Sequence, residues 1–267
     1  MTSVPKMLLI STPSDYSIDL FQNKDAARLI QPSVIEYGDL PNELNDRFDL
    51  IYLRDPFNHP GVSKDMIIQT LKELKNNHSL AYWVDGVENY EDLLIEDKWH
   101  QYQLFKDIMP STSLFEDQEL MGRVIKKRIS ARAKGIYFSP ADMPTDYEAN
   151  EYITQQRIDI SRELRIYMIG GKILKPAVLK TSKTDQQKVR LTDITKDIPD
   201  DILKICDRVY ELTNLDFMGL DIAMSAHGNY LLELNRSCQF KGYQRVTGIN
   251  LATELNKYLL NKLVKNK

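Results

Sequence analysis

Between residues 217 and 235 the chain alternates regularly enough to be read face by face. Met218, Leu220, Ile222 and Met224 fall on one side of a period-two pattern and Gly219, Asp221 and Ala223 on the other, which predicts a half-buried strand with Asp221 off the core face. After a break at Ala226-His227-Gly228, Tyr230, Leu232 and Leu234 form one face, while Leu231, Glu233 and Asn235 form the other. If the two runs pair with their apolar faces together, paired residue numbers sum to an even value, which excludes a two-residue turn. A three-residue loop, 226–228, is then expected, with Gly228 in the left-handed position of a bulge. Asp221 would face Glu233, with Asn235 one step along.

The amino-terminal third has a different rhythm. Apolar runs at 6–11, 33–37, 49–53 and 79–84 read as strands, and 63–76 reads as a helix with Ser63 as N-cap and Met66, Ile67, Thr70, Leu71 and Leu74 on one stripe. That alternation predicts an α/β unit with a parallel sheet. Ligands gather at the carboxyl ends of such strands, which nominates Ser11-Thr12, Arg54-Asp55 and Asp85-Gly86. Further on, an amphipathic helix at 97–107 runs into Pro110, and 123–126 reads as a buried strand ending in Lys126. Gly170-Gly171 between two apolar runs marks a hairpin turn. Asp200 is expected to cap a helix at 201–213 whose Ile202, Ile205, Val209 and Leu212 face inward. Asn250 is expected to cap the last helix, with Leu251, Leu255, Tyr258 and Leu259 inward. The whole is therefore an α/β and α+β chain.

Composition narrows the function classes. The 267 residues carry a net charge of −3, so no broad basic surface points to nucleic acid. The two cysteines, Cys206 and Cys238, form neither a CxxC pair nor a disulfide framework, which fits a reducing cytoplasm. The apolar piece after Lys6, Met-Leu-Leu-Ile, is too short for a signal sequence or a membrane span, so a cytoplasmic protein without a membrane partner is expected. The four histidines, His59, His78, His100 and His227, share no metal-ligand spacing. Two carboxylates and an amide oxygen at Asp221, Glu233 and Asn235 are hard ligands that suit Mg²⁺ bridging nucleotide phosphates. A hairpin with a solvated polar face fits the same residues.

The run continues Asn235-Arg236-Ser237 and then Thr247-Gly248-Ile249-Asn250-Leu251-Ala252, and here the chain resembles the ATP-grasp superfamily, most closely its RimK-type and glutathione synthetase-like ligases. The strand Asp, the Glu-x-Asn and the TG helix start carry the resemblance, which implies Asp221, Glu233 and Asn235 as metal ligands. Asp97-Lys98-Trp99 through Pro110-Ser111-Thr112 resembles the family's entry into the grasp, which implies that Lys98 approaches the phosphates. Lys126 falls on the family's strand lysine, ahead of a phosphate lid. That lid departs from the family: Lys127 replaces a proline, Ser130, Ala131 and Ala133 replace glycine or serine, and Gly135 alone is kept. Phosphate grip could then pass to basic side chains between Lys127 and Lys134; a solvated charge run is the alternative.

Tyr152 to Ile158 resembles the hinge whose backbone reads the adenine edge, which implicates Gln155, Gln156, Arg157 and Ile158 in nucleotide binding. The run from Glu163 to Lys172 resembles the next hairpin, which implies that Glu163 meets the ribose and that Arg165 stabilises the transferring phosphoryl group. Lys180 stands where the family commonly has Arg, with a catalytic role, and Lys183, Lys188 and Arg190 are read as part of a polar loop. The G-x-F-R-x-N stretch of RimK-type ligases is missing there. The segment 52–61 resembles the R-x-DPP loop of glutathione synthetases, one residue short.

The resemblance implies three parts: a pre-ATP-grasp-like α/β domain at 1–97, a central subdomain at 98–155 and a metal-bearing subdomain at 156–267. It implies ATP with one or two Mg²⁺ ions, Mn²⁺ able to substitute, and an acyl-phosphate route joining a carboxylate to an amine. The expected partners are small-molecule, peptide or protein-side-chain carboxylates and amines, and a homo-oligomer is common in these branches. A nucleotide-binding protein without ligase activity and a kinase-type phosphoryl transferase are the alternatives on the same scaffold.

Overall fold

The amino-terminal apolar runs build a four-stranded parallel sheet in the computed structural model, which describes residues 3–37, 39, 46–57, 61–116, 121–130, 134–183 and 188–265. Its strands are β1 (Lys6–Ser11), β2 (Gln31–Glu36), β3 (Leu50–Leu53) and β4 (Tyr82–Trp83), in the order β2-β1-β3-β4. The central strands β1 and β3 are almost wholly buried, as expected for a parallel sheet covered on both faces. Two short helices, α1 (Ile18–Phe21) and α2 (Lys24–Ala27), connect β1 to β2, and α3 (Lys64–Asn77) connects β3 to β4. The α3 stripe is inward at Ile67, Thr70, Leu71 and Leu74, and Ser63 caps the helix by accepting the Met66 N–H at 3.2 Å.

A second, antiparallel sheet follows α4 (Lys98–Phe105). It contains β5 (Thr112–Leu114), β6 (Arg123–Lys127), β7 (Ile136–Tyr137) and β8 (Tyr152–Gln156), ordered β5-β8-β6-β7. The third sheet is larger: β9 (Arg162–Ile169), β10 (Lys172–Lys183), β11 (Lys188–Thr195), β12 (Phe217–Ser225) and β13 (Gly228–Asn235), ordered β11-β10-β9-β12-β13. One face of it packs Leu164, Ile166, Met168, Met218, Leu220 and Ile222 against α5 (Asp200–Thr213). The other packs Tyr167, Ile169 and Phe217 against the amino-terminal sheet and α7 (Leu251–Lys265), with α6 (Lys241–Thr247) between. Asn250 caps α7 through the Ala252 N–H at 2.9 Å, and Leu251, Leu255 and Leu259 are buried. Among the described residues no helix is long and apolar enough to cross a membrane.

Several expectations change. β12 is buried on both faces rather than half-buried, because the amino-terminal sheet covers the side that carries Phe217. The hairpin turn has two residues, Ala226 and His227, with Ser225 paired to Gly228. A bulge beside Asp221 and Ile222 places one extra residue on β13 and changes the sum of paired numbers from even to odd before the turn. Asp200 begins α5 instead of capping it, since Pro199 takes the N-cap position. Leu212 is 39% exposed and lines a surface groove beside Leu104, beyond the buried stripe. Residues 188–195, read as loop, form β11: Val189, Leu191 and Ile194 between polar residues give the β pattern that the basic charges obscured.

Candidate active site

The face of the third sheet that looks toward the second is charged, and strand register alone assembles much of it. Asp221 on β12 has Arg165 as its partner on β9 and Glu233 as its partner on β13, while Asn235 sits opposite Gly219. Directly opposed residues share a face, so these groups stand side by side. Arg165 donates to Asp221 from Nε, and from Nη2 at 2.8 Å. Lys180, on β10, reaches Asp221 at 2.7 Å and Glu163 at 2.6 Å. Burial alone would raise the Asp221 carboxyl, but the charges and hydrogen bonds of Arg165 and Lys180 outweigh it and hold the group at about 2. Asp221 is therefore an anion at any physiological pH.

Glu233 is held differently. Its carboxylate lies 2.9 Å from Lys98 Nζ, which also donates to the Ser130 carbonyl at 3.1 Å and hydroxyl at 3.2 Å. Lys98 thus joins the first turn of α4, the base of the lid and β13. Gly219 makes room beneath: a Cβ there would lie 2.7 Å from Cys238 Sγ and 3.4 Å from Arg165 Cδ. A glycine inside a strand signals such a close approach, yet alternation alone passed over it.

The second sheet supplies Lys126 and Gln155. Lys126 Nζ donates to Gln155 Oε1 at 2.7 Å, and Gln155 Nε2 donates to Thr112 Oγ1 at 3.1 Å. Burial pulls the Lys126 ammonium down to about 8; Glu233 and Glu163 oppose the shift, while Lys98 and Lys180 reinforce it. Those four influences come from the groups just described, so Lys126 lies within electrostatic reach of them. Gln156 and Arg157 continue from β8 into the connection to β9, their N–H groups bonded to Ser111 O at 2.8 Å and Gly122 O at 2.9 Å. The Arg157 guanidinium lies over the Phe138 ring at 5.5 Å. Half-buried Ile158 has no backbone hydrogen bond among the described residues.

Two of the lid's basic residues are committed elsewhere. Lys127 pairs with Glu151 at 3.0 Å and Arg128 with Asp97 at 2.5 Å, which removes both from the phosphate grip expected of them. Ala131 and Ala133 lie outside the described residues, as do His59 and residues 184–187.

Of the strand-end residues, Arg54 is fully buried in a pair with Asp15 at 2.6 Å and flanked by Phe21, Tyr52 and Phe240. Asp85 accepts the Phe217 N–H at 2.9 Å and ties the amino-terminal sheet to β12. Both are structural. Asp55 alone lines the cleft, in a cavity of about 160 Å³ shared with Glu96, Arg165, Glu233, Asn235 and Arg236.

The donor set fits Mg²⁺. Asp221, Glu233 and Asn235 offer oxygen atoms only, and the Asn235 amide makes no hydrogen bond among the described residues, its Nδ2 being buried and unpartnered. No group of three or more His, Cys, Asp or Glu side chains able to hold a metal occurs among the described residues, which leaves no histidine- or cysteine-rich alternative there.

Comparison with known proteins agrees with this architecture. The RimK-like ATP-grasp domain matches residues 145–259. No curated protein matches the chain in sequence. The structure of ATP-grasp ligase PsnB complexed with minimal precursor superposes with a TM-score of 0.72 at 16% identity, over 97% of this chain and 99% of that one. Macrocyclase MdnC bound with precursor peptide MdnA, from Microcystis aeruginosa MRC, gives 0.68 at 13% identity, over 96% and 99%. D-cycloserine synthetase DcsG gives 0.68 at 13% identity, over 97% and 99%. At such identities the likeness speaks for the fold. The chain has the ATP-grasp fold, and its residues 145–259 carry the match to the RimK-like ATP-grasp domain.

Proposed function

We propose that this protein is an ATP-dependent carboxylate–amine ligase that works through an acyl phosphate. The observation that carries the reading is the ion-pair network of Glu163, Arg165, Lys180 and Asp221 on the third sheet, with Lys98 tying Glu233 to Ser130 and Lys126 of the second sheet within electrostatic reach. Phosphoryl transfer needs alignment and charge neutralisation more than a side-chain nucleophile. Lys98 and Lys126 would hold nucleotide phosphates, Gln155 to Ile158 the adenine edge and Glu163 the ribose. Asp221, Glu233 and Asn235 would hold Mg²⁺, which supplies positive charge against the triphosphate. Arg165 and Lys180 would meet the transferring group once their carboxylate partners turn to the metal. The substrate carboxylate takes the γ-phosphoryl group, an amine attacks the acyl carbon, and inorganic phosphate leaves.

The parts 1–97, 98–155 and 156–267 then act as substrate-side domain, lid-bearing half and metal-bearing half. The finer placement with RimK-type ligases rests on the 145–259 match and the Glu-x-Asn and TG motifs. PsnB and MdnC are described with precursor peptides, which favours a peptide as one substrate here.

The test is release of ADP and phosphate, required to depend on both a carboxylate and an amine. Glu233→Gln should lower turnover by about 10²–10³-fold; undiminished turnover in that variant would refute the assignment. A second reading, nucleotide binding without ligation, draws on Lys127 and Arg128 being tied to Glu151 and Asp97. It predicts Mg²⁺–ATP affinity with no condensation product. A phosphorylated product stable without any amine would instead indicate a kinase.

A further inference from the structure

β13, which carries Glu233 and Asn235, is an edge strand: β12 pairs with one side of it, and no strand among the described residues pairs with the other. The α4 segment closes that open edge. The Leu231 N–H donates to the Ile108 carbonyl at 2.9 Å, just past the end of α4. Three residues on, the Gln101 side chain takes the place of a neighbouring strand. Its Oε1 accepts the Leu234 N–H at 2.8 Å, and its Nε2 donates to the Leu234 carbonyl at 2.8 Å. Nε2 also donates to the Ile95 carbonyl at 2.8 Å, so three bonds fix the direction of the amide. Gln101 is fully buried, where a polar group is retained only with its partners in place.

The clamp falls on the one residue between the two β13 side chains assigned to the metal. Leu234 turns its own side chain into the core beside Leu220 and Ile222, so Glu233 and Asn235 take the opposite face. One turn back on α4, Lys98 holds the Glu233 carboxylate at 2.9 Å, and Asp97 pairs with Arg128 at the lid. A metal and Lys98 compete for Glu233. The Gln101 bonds are made to the main chain and leave both ligand side chains free. Mg²⁺ demands near-ideal octahedral geometry, and groups that orient its ligands count accordingly.

We infer that Gln101 is a positioning residue of the metal site: by bonding both main-chain groups of Leu234, it sets the spacing and direction of Glu233 and Asn235. This rests on the ligase reading above and on its assignment of those two residues to Mg²⁺. Gln101 acts through β13 and not on the metal or the nucleotide. It also ties that strand to the helix that carries Lys98, so the lid side and the metal side keep one register.

The probe is Mn²⁺, titrated by electron paramagnetic resonance onto the full chain holding a non-hydrolysable ATP analogue. Gln101→Met keeps the length of the side chain and removes all three bonds; Gln101→Asn keeps an amide but is one methylene too short to reach Leu234. Both should weaken Mn²⁺ binding by about 10–100-fold, measured on the folded fraction. Affinity for the analogue in EDTA should stay at the wild-type value, which a general loss of structure would not allow. Leu259→Ala, which empties a fully buried position on the opposite face of the third sheet, should lower the melting temperature and leave Mn²⁺ affinity unchanged. Wild-type Mn²⁺ affinity in the Gln101 variants, an equal loss in Leu259→Ala, or a parallel fall in metal-free nucleotide affinity would each overturn the proposal. Failure of both Gln101 variants to fold would overturn it too, by making Gln101 a folding residue. A wild type that binds no Mn²⁺, or unchanged affinity in Glu233→Gln, would instead strike the metal assignment, so the two failures are separable.

Discussion

Lys126 offers a quantitative handle on the nucleotide site. Burial holds its ammonium at about 8, well below the 10.5 of an ordinary lysine, so the free protein loses this positive charge just above neutrality. A bound phosphate favours the charged form and raises the value again. The sign follows: affinity for an anionic nucleotide is full below 8 and falls as pH rises through it. With the complex holding Lys126 charged throughout, the charged fraction of the free protein drops about tenfold between pH 7 and pH 9, a loss of about 1.4 kcal/mol in binding. Isothermal titration of Mg²⁺–ADP across that range would measure it. Lys126→Arg should flatten the profile because a guanidinium stays charged. A flat profile in the wild type, or the same slope in the arginine variant, would show that Lys126 does not contact the phosphates.

Two further outcomes follow from the charged face and its packing. Asp221→Asn should destabilise the ligand-free protein by about 2–3 kcal/mol at pH 7, from a carboxyl held near 2 instead of 3.8. A depressed carboxyl contributes stability above its unfolded value and loses it as pH falls toward the folded one. The gap in urea denaturation should therefore narrow below about pH 4; a gap independent of pH would mean that the ion pairs contribute nothing. Gly219→Ala should cost about 1–3 kcal/mol, because the new methyl would meet Cys238 Sγ at 2.7 Å. Cys238→Ala in that background should recover part of the loss in thermal melting; no recovery would place the strain elsewhere.

Much of the frame was legible from periodicity. The β1, β3, β9, β12 and α3 patterns follow from apolar spacing, and Gly170-Gly171 turns β9 into β10 as its dipeptide requires, both glycines with positive φ. The Asp221–Glu233 pairing was also readable, since faces fix register once apolar sides are matched. The turn was not: a bulge depends on local pairing that alternation does not encode, and it shortened the loop by one residue. Charge misled twice. The lysines and Arg190 hid β11, and the basic lid residues Lys127 and Arg128 looked available until Glu151 and Asp97, distant in sequence, were seen to hold them. The roles of Arg236 and Ser130 were not legible either. Their significance lies in what they touch, Glu96 and the Leu53 carbonyl for one, Lys98 for the other, and contacts across the chain leave no trace in spacing.

The central claim is that oxygens of Asp221, Glu233 and Asn235 anchor the magnesium of a bound nucleotide. The most direct test is a crystal structure of the full chain with Mg²⁺ and a non-hydrolysable ATP analogue. The account predicts metal–oxygen distances of about 2.0–2.1 Å to these residues, with phosphate oxygens completing the shell and Lys126 against the triphosphate. A nucleotide bound with its metal away from these three side chains, or an Asp221 still closed on Arg165 and Lys180 with no metal beside it, would contradict it.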